Sequence, residues 1–431
     1  MTARRMTTFA LLFAAGCVGP RARKMTPVPQ PQKPPAVAAH QVSRVTTAVP
    51  FPRGLAMVDR KLYVLARGRV RESGGVDGAI DDKAGSIFVI DPDVAEPLGE
   101  GDVTPAVRAN AALFAAPTAP PMDLFDRTRS PATEDRKTDR PYCALRYDAA
   151  TRNFYICAFS GIDKPAGGRT NFSKNLSDAV YRYDTRDNAW HVVEKHDIEA
   201  GGLYPHHDPQ IQPPPHGRLN GPDNCLVVGR WLYVVAKDNS TLSRYDLAAI
   251  ARDPAAGPPA SEWVMDAKVI LKGPSDGRGE AMLHGHSMLA ARDGYLYVGY
   301  RTSSVIVRFR LAADGTLAIP IEGEPVATFD PYDPKTRTSA NLTDMAFGPD
   351  GDLYVVSAQP SRVFRFRPDP RNVFNGRDGL PAWADLAKLT GNPKMKSENL
   401  LVDDAGRVFI TSGDTYAYQG GAGGAVYRID P

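Results

Sequence analysis

Carboxylate and amide side chains recur at one place in this chain, directly before a series of apolar segments. Asp223 and Asn224 precede one such segment, and Asp344 and Glu398 precede two others. Oxygen ligands of this kind suit calcium or magnesium, and added histidine favours zinc or manganese. The residues could therefore hold one divalent cation, such as Ca²⁺, Mn²⁺ or Zn²⁺, if the fold brings them together. They could equally cap strand ends at a water-filled opening.

Five histidines extend this set of candidate metal ligands. His284 and His286 are separated by one residue, so on a strand both side chains would point the same way, as in two-histidine metal sites. His206, His207 and His216 lie in a proline-rich stretch that runs into the same part of the chain. Together they could form a three-histidine zinc site, although solvent-facing histidines in loops need no metal.

The chain contains four cysteines, the first of which, Cys17, lies near the N-terminus. Cys143 and Cys157 flank a turn and would lie nearly opposite each other on neighbouring strands. An oxidising compartment would permit a disulfide between them, provided that their Cβ vectors are compatible. Cys225 is expected to be a buried thiol.

Composition and motifs exclude several classes of function. Lys and Arg total 52 against 49 Asp and Glu, and no basic stripe is present, so nucleic acid is not an expected partner. HExxH, Walker and strand-to-helix GxGxxG motifs are missing from the sequence. The string GPSDG at 273–277 matches GxSxG, but a strand rather than a helix is predicted after it, so serine hydrolases and nucleotide-binding enzymes stay unsupported.

The first forty residues have the features of a targeting segment rather than of a folded domain. Residues 1–16 combine two arginines with a short apolar run, which predicts a secretory signal peptide. Its end, Ala14-Ala15-Gly16-Cys17, resembles the lipobox of bacterial lipoproteins, in which the cysteine is acylated. Residues 17–41 would then be the lipidated Cys17 and a proline-rich tether. The expected location is the cell envelope, on the outer membrane facing the periplasm or on the cell surface; an ordinary cleaved signal peptide is the alternative.

Six copies of one pattern fill the remaining chain, 42–431. Each copy has an apolar strand, a short turn and a second strand, at 54–64, 143–156, 225–234, 288–298, 345–355 and 400–410. A third strand follows each copy, at 86–91, 179–184, 241–246, 305–310, 362–367 and 425–430. Such a unit cannot bury both of its faces alone, so the six units must stack. Radial stacking predicts an all-β fold, a six-bladed β-propeller.

Closure of this ring can also be predicted. The chain stops after the third strand of the sixth copy, and residues 42–50 have the β-branched content of a strand without another partner. We expect this segment to complete the last blade. Long insertions at about 96–139, 199–222 and 368–397 should mostly decorate the two faces of the propeller, and 107–116 could form a short helix.

The copies GPDGDLYV (348–355) and DDAGRVFI (403–410), with LTDMAF and SENLLV before them, resemble the six-bladed propellers of the NHL-repeat and senescence-marker/gluconolactonase-like superfamily. Members of that group include metal-dependent lactonases, lyases and pure binding modules. The resemblance implies a metal held by one Glu, one Asn and one Asp. Glu398, Asn224 and Asp344 supply those residue types here.

Three functions remain open on these grounds. The first is a lipid-anchored propeller that binds a protein or glycan partner through its loop-rich face. The alternative is a metal-dependent hydrolase, lactonase or lyase whose site lies at the mouth of the central channel. A structural subunit of an envelope assembly is a third.

Overall fold

Six small sheets make up nearly all of the secondary structure in the part of this protein that the structure describes. A computed structural model describes residues 40–49, 52–66, 87–97, 111–113, 142–158, 179–195, 221–236, 241–252, 262–265, 286–301, 303–330, 340–358, 360–376, 382–393, 395–412 and 424–431. All of them belong to one compact unit, Gln32–Pro431. The predicted signal peptide, Cys17 and most of the tether lie outside the described residues.

The innermost strand of every sheet contacts the innermost strands of the next and the previous sheet, so the sheets close into a six-bladed β-propeller. Numbered along the chain, blades 1 to 6 begin with β2 (Pro52–Val58), β7 (Tyr142–Asp148), β11 (Pro222–Val228), β15 (His286–Arg292), β19 (Leu342–Phe347) and β24 (Leu400–Val402). The predicted fold class is confirmed.

The second and third strands coincide with the repeats in the sequence. The second strands are β3 (Lys61–Ala66), β8 (Asn153–Ala158), β12 (Trp231–Ala236), β16 (Tyr295–Tyr300), β20 (Leu353–Ser357) and β25 (Val408–Ser412). The third strands are β4 (Ile87–Ile90), β9 (Ala179–Asp184), β13 (Thr241–Asp246), β17 (Val305–Arg310), β21 (Arg362–Phe366) and β26 (Ala425–Ile429). The second and third strands of each blade pair in antiparallel register.

One cross-strand pair repeats from blade to blade. The central aromatic residue of the second strand faces an arginine of the third strand in five blades, as Tyr297 faces Arg308 and Tyr354 faces Arg365. The Arg308 guanidinium lies 4.1 Å from the ring centroid of Tyr295 on the same hairpin. Aromatic and cationic side chains attract each other in this geometry. The recurring arginines of the sequence pattern therefore stabilise the blades.

The outer strands come from the insertions and from the chain start. They are β6 (Ala111–Leu113), β10 (Ala189–Lys195), β14 (Glu262–Met265), β18 (Gly323–Thr328), β23 (Ala384–Asp385) and β1 (Val42–Thr46). Two short strands, β5 (Glu96–Pro97) and β22 (Phe374–Asn375), extend blades 6 and 4.

One expectation about the insertions was wrong in the part that the structure describes. The helix expected within 107–116 is replaced over Ala111–Leu113 by β6, because this segment pairs with the open edge of β4. The 368–397 insertion contributes two short strands to the sheets, since β23 pairs with β21 and β22 pairs with β18. Backbone groups at a strand edge are best satisfied by another strand. That most of the insertions decorate the two faces stays a prediction.

Closure of the ring follows the prediction. β1 pairs with β26, with Val42 opposite Ile429 and Ser43 opposite Arg428, so blade 6 combines the two ends of the propeller segment. Val45 is fully buried in a cluster that also contains Phe409 and Leu62. The segment before the first repeat is therefore part of the last blade.

The hydrophobic core lies between neighbouring blades rather than within one of them. One cluster, for example, combines Leu65 and Ile87 of blade 1 with Leu145 and Phe154 of blade 2. The described residues also form two short helices, α1 (Leu247–Arg252) and α2 (Leu386–Leu389). Within the described ranges no helix has both the length and the apolar character needed to cross a bilayer.

Candidate functional site

A shared irregularity in the innermost strands determines which residues reach the channel mouth together. The pairing of β19 with β20 shifts register between Leu342 and Asp344, and β2, β7, β11 and β15 shift at the same point. In blade 6 the N–H of Thr411 donates to the carbonyl of Asn399, which places Asn399 at the position of Asp344. Such bulges re-aim side chains at the ends of strands.

The bulge defines two rings of equivalent residues around the channel. The residues equivalent to Asp344 are Gly54, Ala144, Asn224, Met288 and Asn399. The residues one place earlier are Arg53, Cys143, Asp223, Ser287, Thr343 and Glu398. Polar and charged residues therefore enter this level of the channel from several blades at once.

Asp344 is the centre of this level. It is fully buried, and its Oδ1 accepts hydrogen bonds from Asn224 Nδ2 at 2.9 Å and from the N–H of Met345 at 3.0 Å. Its Oδ2 accepts from Asn399 Nδ2 at 3.3 Å and from the N–H of Leu400 at 3.1 Å. A buried carboxylate needs such donors to offset its lost hydration. Blades 3, 5 and 6 are thereby joined at one carboxyl group.

Arg146 completes the coordination of Asp344 from the other side of the channel. Its Nη2 lies 3.2 Å from Oδ1 and 3.4 Å from Oδ2 of Asp344, while its Nη1 donates to the carbonyl of Leu145 at 2.9 Å. Blades 2 and 5 lie opposite each other in a ring of six, so this ion pair spans the central channel. We call Asp344 with Arg146, Asn224 and Asn399 the channel hub.

A second ion pair and one further carboxylate lie beside the hub. Arg53 Nη1 donates to Glu398 Oε2, which links blade 1 to blade 6 at the seam where the ring closes. Asp223 is half-buried next to Asn224 and makes no hydrogen bond to the described residues. It is thus the one carboxylate of the two rings without a described cationic partner.

The predicted oxygen ligands meet only in part. Asn224 and Asp344 are in contact, whereas Glu398 faces Arg53. The donor types suit calcium, yet Asn224 presents its amide nitrogen to Asp344 while its Oδ1 accepts from the N–H of Cys225 at 2.9 Å. Both carboxylate oxygens of Asp344 are already taken by protein donors. As arranged, these residues do not fit a divalent cation, and the described chain contains no group of three or more His, Cys, Asp and Glu side chains placed to hold one.

The histidine hypothesis stays a prediction. His206, His207, His216 and His284 lie outside the described residues. His286 begins β15, one residue before the bulge position of Ser287, and only its backbone is described.

The cysteines form no disulfide within the described chain, so the structure does not contain the predicted Cys143–Cys157 bridge. Cys157 pairs with Ala144, and the Cys143 thiol donates to the carbonyls of Cys157 at 3.4 Å and Pro222 at 3.0 Å. Burial raises the pKa of the Cys157 thiol well above its usual range, and the adjacent Cys225 thiol raises it further. A protonated, buried thiol is a poor nucleophile, so Cys157 is not a candidate nucleophile.

Arg146 is the functional candidate that the sequence reasoning missed. It faces Tyr155 across the hairpin, and the equivalent positions in the other five blades are all apolar. They are Ala56, Leu226, Ala290, Ala346 and Leu401. A single charge at a repeat position that otherwise holds Ala or Leu is the signal that could have identified it.

Comparisons with known proteins bear on the fold alone. The chain matches no protein-family model and no curated protein sequence. Among solved structures, the gluconolactonase XC5397 from Xanthomonas campestris has a TM-score of 0.45 at 14% identity, over 91% of this chain and 90% of that one. Regucalcin from Agrobacterium tumefaciens, a calcium-binding protein, gives 0.44 at 9%, over 90% and 92% of the two chains.

Virginiamycin B lyase from Staphylococcus aureus gives a TM-score of 0.40 at 9% identity, over 91% of this chain and 99% of that one. The gluconolactonase and the regucalcin belong to the group of propellers that the turn and strand motifs resemble. At identities of 14% or less and TM-scores below 0.5, neither the activities nor the ions of these proteins can be transferred to this chain.

Proposed function

We propose that this protein is an enzyme, a hydrolase or a lyase, that acts on a small molecule at the mouth of its central channel. The observation that supports this is the convergence of Asp344, Arg146, Asn224 and Asn399 from four blades at one level of the channel. Buried polar groups that converge in a concave site are typical of ligand-binding and catalytic centres. The insertions that would carry the loop-face binding function lie largely outside the described residues.

The residues of the site can be given separate roles. Arg146 carries hydrogen-bond donors that Asp344 orients, and a guanidinium so held can stabilise negative charge that develops on a carbonyl oxygen. Asp344 is then a positioning residue, since its lone pairs are used by the protein. Glu398 is occupied by Arg53. Asp223 is the carboxylate left to accept a proton from water or from an acidic C–H group.

The test is a comparison of two carboxylates. Wild-type protein would be assayed against a panel of esters and lactones for hydrolysis, and of carbonyl compounds with a β-leaving group for elimination. For any substrate turned over, Asp223→Asn should lower kcat/KM by about 100-fold or more, the scale of a general base. Asp314→Asn, in the exposed 312–316 turn of blade 4, should leave kcat/KM unchanged. Turnover that survives in the Asp223→Asn variant would refute the assignment.

We also propose, from the sequence, that the enzyme is anchored in the cell envelope through Cys17. Binding of a protein or glycan partner by the loop face stays a prediction of the same kind. The anchor and the partner binding concern the location and the contacts of the protein, and both are independent of the chemistry in the channel.

A further inference from the structure

The guanidinium of Arg146 has donors to spare. A guanidinium carries five N–H groups. Nη2 contacts both carboxylate oxygens of Asp344, and one N–H of Nη1 is directed at the carbonyl of Leu145. The Nε–H group and the second N–H of Nη1 have no partner among the described residues, and 16% of the side chain is exposed. The positive charge is thus fixed in place and still accessible.

Asn399 offers the complementary group. Its Nδ2 donates to Asp344, which fixes the amide plane next to the hub. Its Oδ1 is buried and receives no hydrogen bond within the described chain, and the residue is only 3% exposed. Buried polar atoms are almost always satisfied, so an exception inside a candidate site points to a ligand.

The same hub shows why the positive charge is not that of a metal. A divalent cation would need the lone pairs of Asp344 and the amide oxygen of Asn224, and protein donors occupy both. The Arg146 guanidinium already supplies the charge that compensates this carboxylate.

We propose that Arg146 serves this site in place of a divalent metal and binds the carboxylate of an anionic ligand, while Asn399 Oδ1 accepts a hydrogen bond from the same ligand. This inference rests on the proposed function, because it names the class of ligand that the same site takes. Guanidinium and carboxylate are matched in geometry and charge. Asp223 adds a negative charge to the ring, so binding of a minimal carboxylate should be weak.

The experiment is ligand-observed saturation-transfer NMR with acetate as the probe and acetamide as its neutral counterpart, at constant ionic strength. The acetate signal should exceed the acetamide signal, and Arg146→Gln should reduce it at least threefold. Arg308→Gln is the matched control, because Arg308 is equally buried and ion-paired but lies on the third strand of blade 4. Arg146→Lys, which retains the charge beside Asp344, is used as well and should also weaken acetate binding. An acetate signal unchanged in both Arg146 variants, or equal for acetamide, overturns the proposal.

Metal content gives the second measurement. Bound Ca²⁺, Mn²⁺ and Zn²⁺ would be measured for wild type and Asp344→Asn after dialysis against each ion. Equal content supports the proposal, and a metal lost with the Asp344 carboxylate overturns it. If the protein turns over a substrate but its acetate binding does not depend on Arg146, the proposed function stands and the ligand class is wrong. If acetate binding depends on Arg146 but no substrate is turned over, the proposed enzymatic function is refuted and the inferred class of ligand is retained.

Discussion

The guanidinium of Arg146 and the carboxylate of Asp344 meet across the central channel, 3.2 Å apart, from blades on opposite sides of the ring. The Asp344 side chain is fully buried. Removing one partner of a buried pair leaves an uncompensated charge, which costs far more than the pair itself contributes.

We therefore expect Arg146→Met to lower the free energy of unfolding by about 3 kcal/mol. The double variant with Asp344→Asn should lose less than the sum of the two single variants, with a coupling of about 1–3 kcal/mol. Urea denaturation would measure all three variants. Arg308→Met, whose partner Glu324 is half exposed, should cost about 1 kcal/mol or less. Additive single effects at Arg146 and Asp344 would show that the pair is not coupled.

Blades 1 and 2 approach each other closely at Gly54, so we expect a larger side chain at this position to destabilise the fold. A Cβ at this position would lie 2.3 Å from the backbone nitrogen of Leu145 and 2.8 Å from the carbonyl carbon of Ala144. Because backbone cannot move aside cheaply, Gly54→Ala should lower the unfolding free energy by about 3 kcal/mol or more.

Gly229→Ala provides the comparison for Gly54. A Cβ there would meet nothing within 4 Å, but the residue has a φ of +57°. The variant should lose only the cost of the left-handed conformation, about 1 kcal/mol. A smaller effect at Gly54 than at Gly229, measured by thermal unfolding, would contradict the predicted contact.

Strand β1 closes the ring, so we expect one polar substitution at a buried residue of β1 to open it. Val45 in β1 is fully buried against blades 1 and 6, so Val45→Asp should detach β1 from β26. Hydrogen exchange should then become markedly faster for those amides of Ala425–Ile429 that face β1, because they lose their strand partner, whereas the amides that face β25 keep theirs. Val94→Asp is the matched control, since Val94 is 52% exposed. Unchanged protection of β26 in the Val45 variant would rule out a stabilising clasp.

Asp184 predicts a specific loss of stability in acid. Hydrogen bonds from the Arg186 side chain lower the pKa of Asp184 to about 2, against about 4 in an unfolded chain. A carboxyl whose pKa is lower in the folded state stabilises the protein above pH 4 and loses that contribution as the pH falls towards 2. Since Arg186 is 57% exposed, the contribution should be on the order of 1 kcal/mol.

The measurement for Asp184 is urea unfolding at pH 5, 4 and 3. Asp184→Asn should be less stable than wild type at pH 5, and the difference should shrink as the pH falls. Asp404→Asn, at an exposed position of the turn before β25, should track wild type throughout. If the stability difference between wild type and Asp184→Asn grew as the pH falls, the Asp184 carboxylate would not stabilise the folded protein in the way predicted.

Cys17 carries the prediction about the membrane, and it lies outside the described residues. Cells that express the protein with radiolabelled palmitate should label the wild type, and Cys17→Ser should abolish the label and release the protein from the membrane fraction. Cys143→Ser should retain the label, because Cys143 is buried in the propeller. Absence of label from both wild type and Cys17→Ser would indicate an ordinary cleaved signal, and equal label in both would show that the acyl chain is attached at another residue.

The sequence by itself determined the propeller. Strand periodicity and tight turns are local properties, so six copies whose second strands start 55 to 92 residues apart could be recognised one at a time. Val42–Thr46 could then be assigned to the last blade by elimination. The same alignment brought Asn224 and Asp344 together at the ends of their strands, because equivalent positions of a repeat occupy equivalent places, whereas Glu398 faces Arg53 instead.

The tertiary structure decided which of these groups meet and with what charge. Arg146 and Asp344 are 198 residues apart in the sequence. They come into contact because the ring closes and because the arginine side chain is long enough to cross the central channel. Residue type predicted oxygen ligands for a cation, but a carboxylate binds a metal only if protein donors leave its lone pairs available. Those donors come from the bulge, the adjacent backbone and the opposite blade, and none of these is a local property of the sequence.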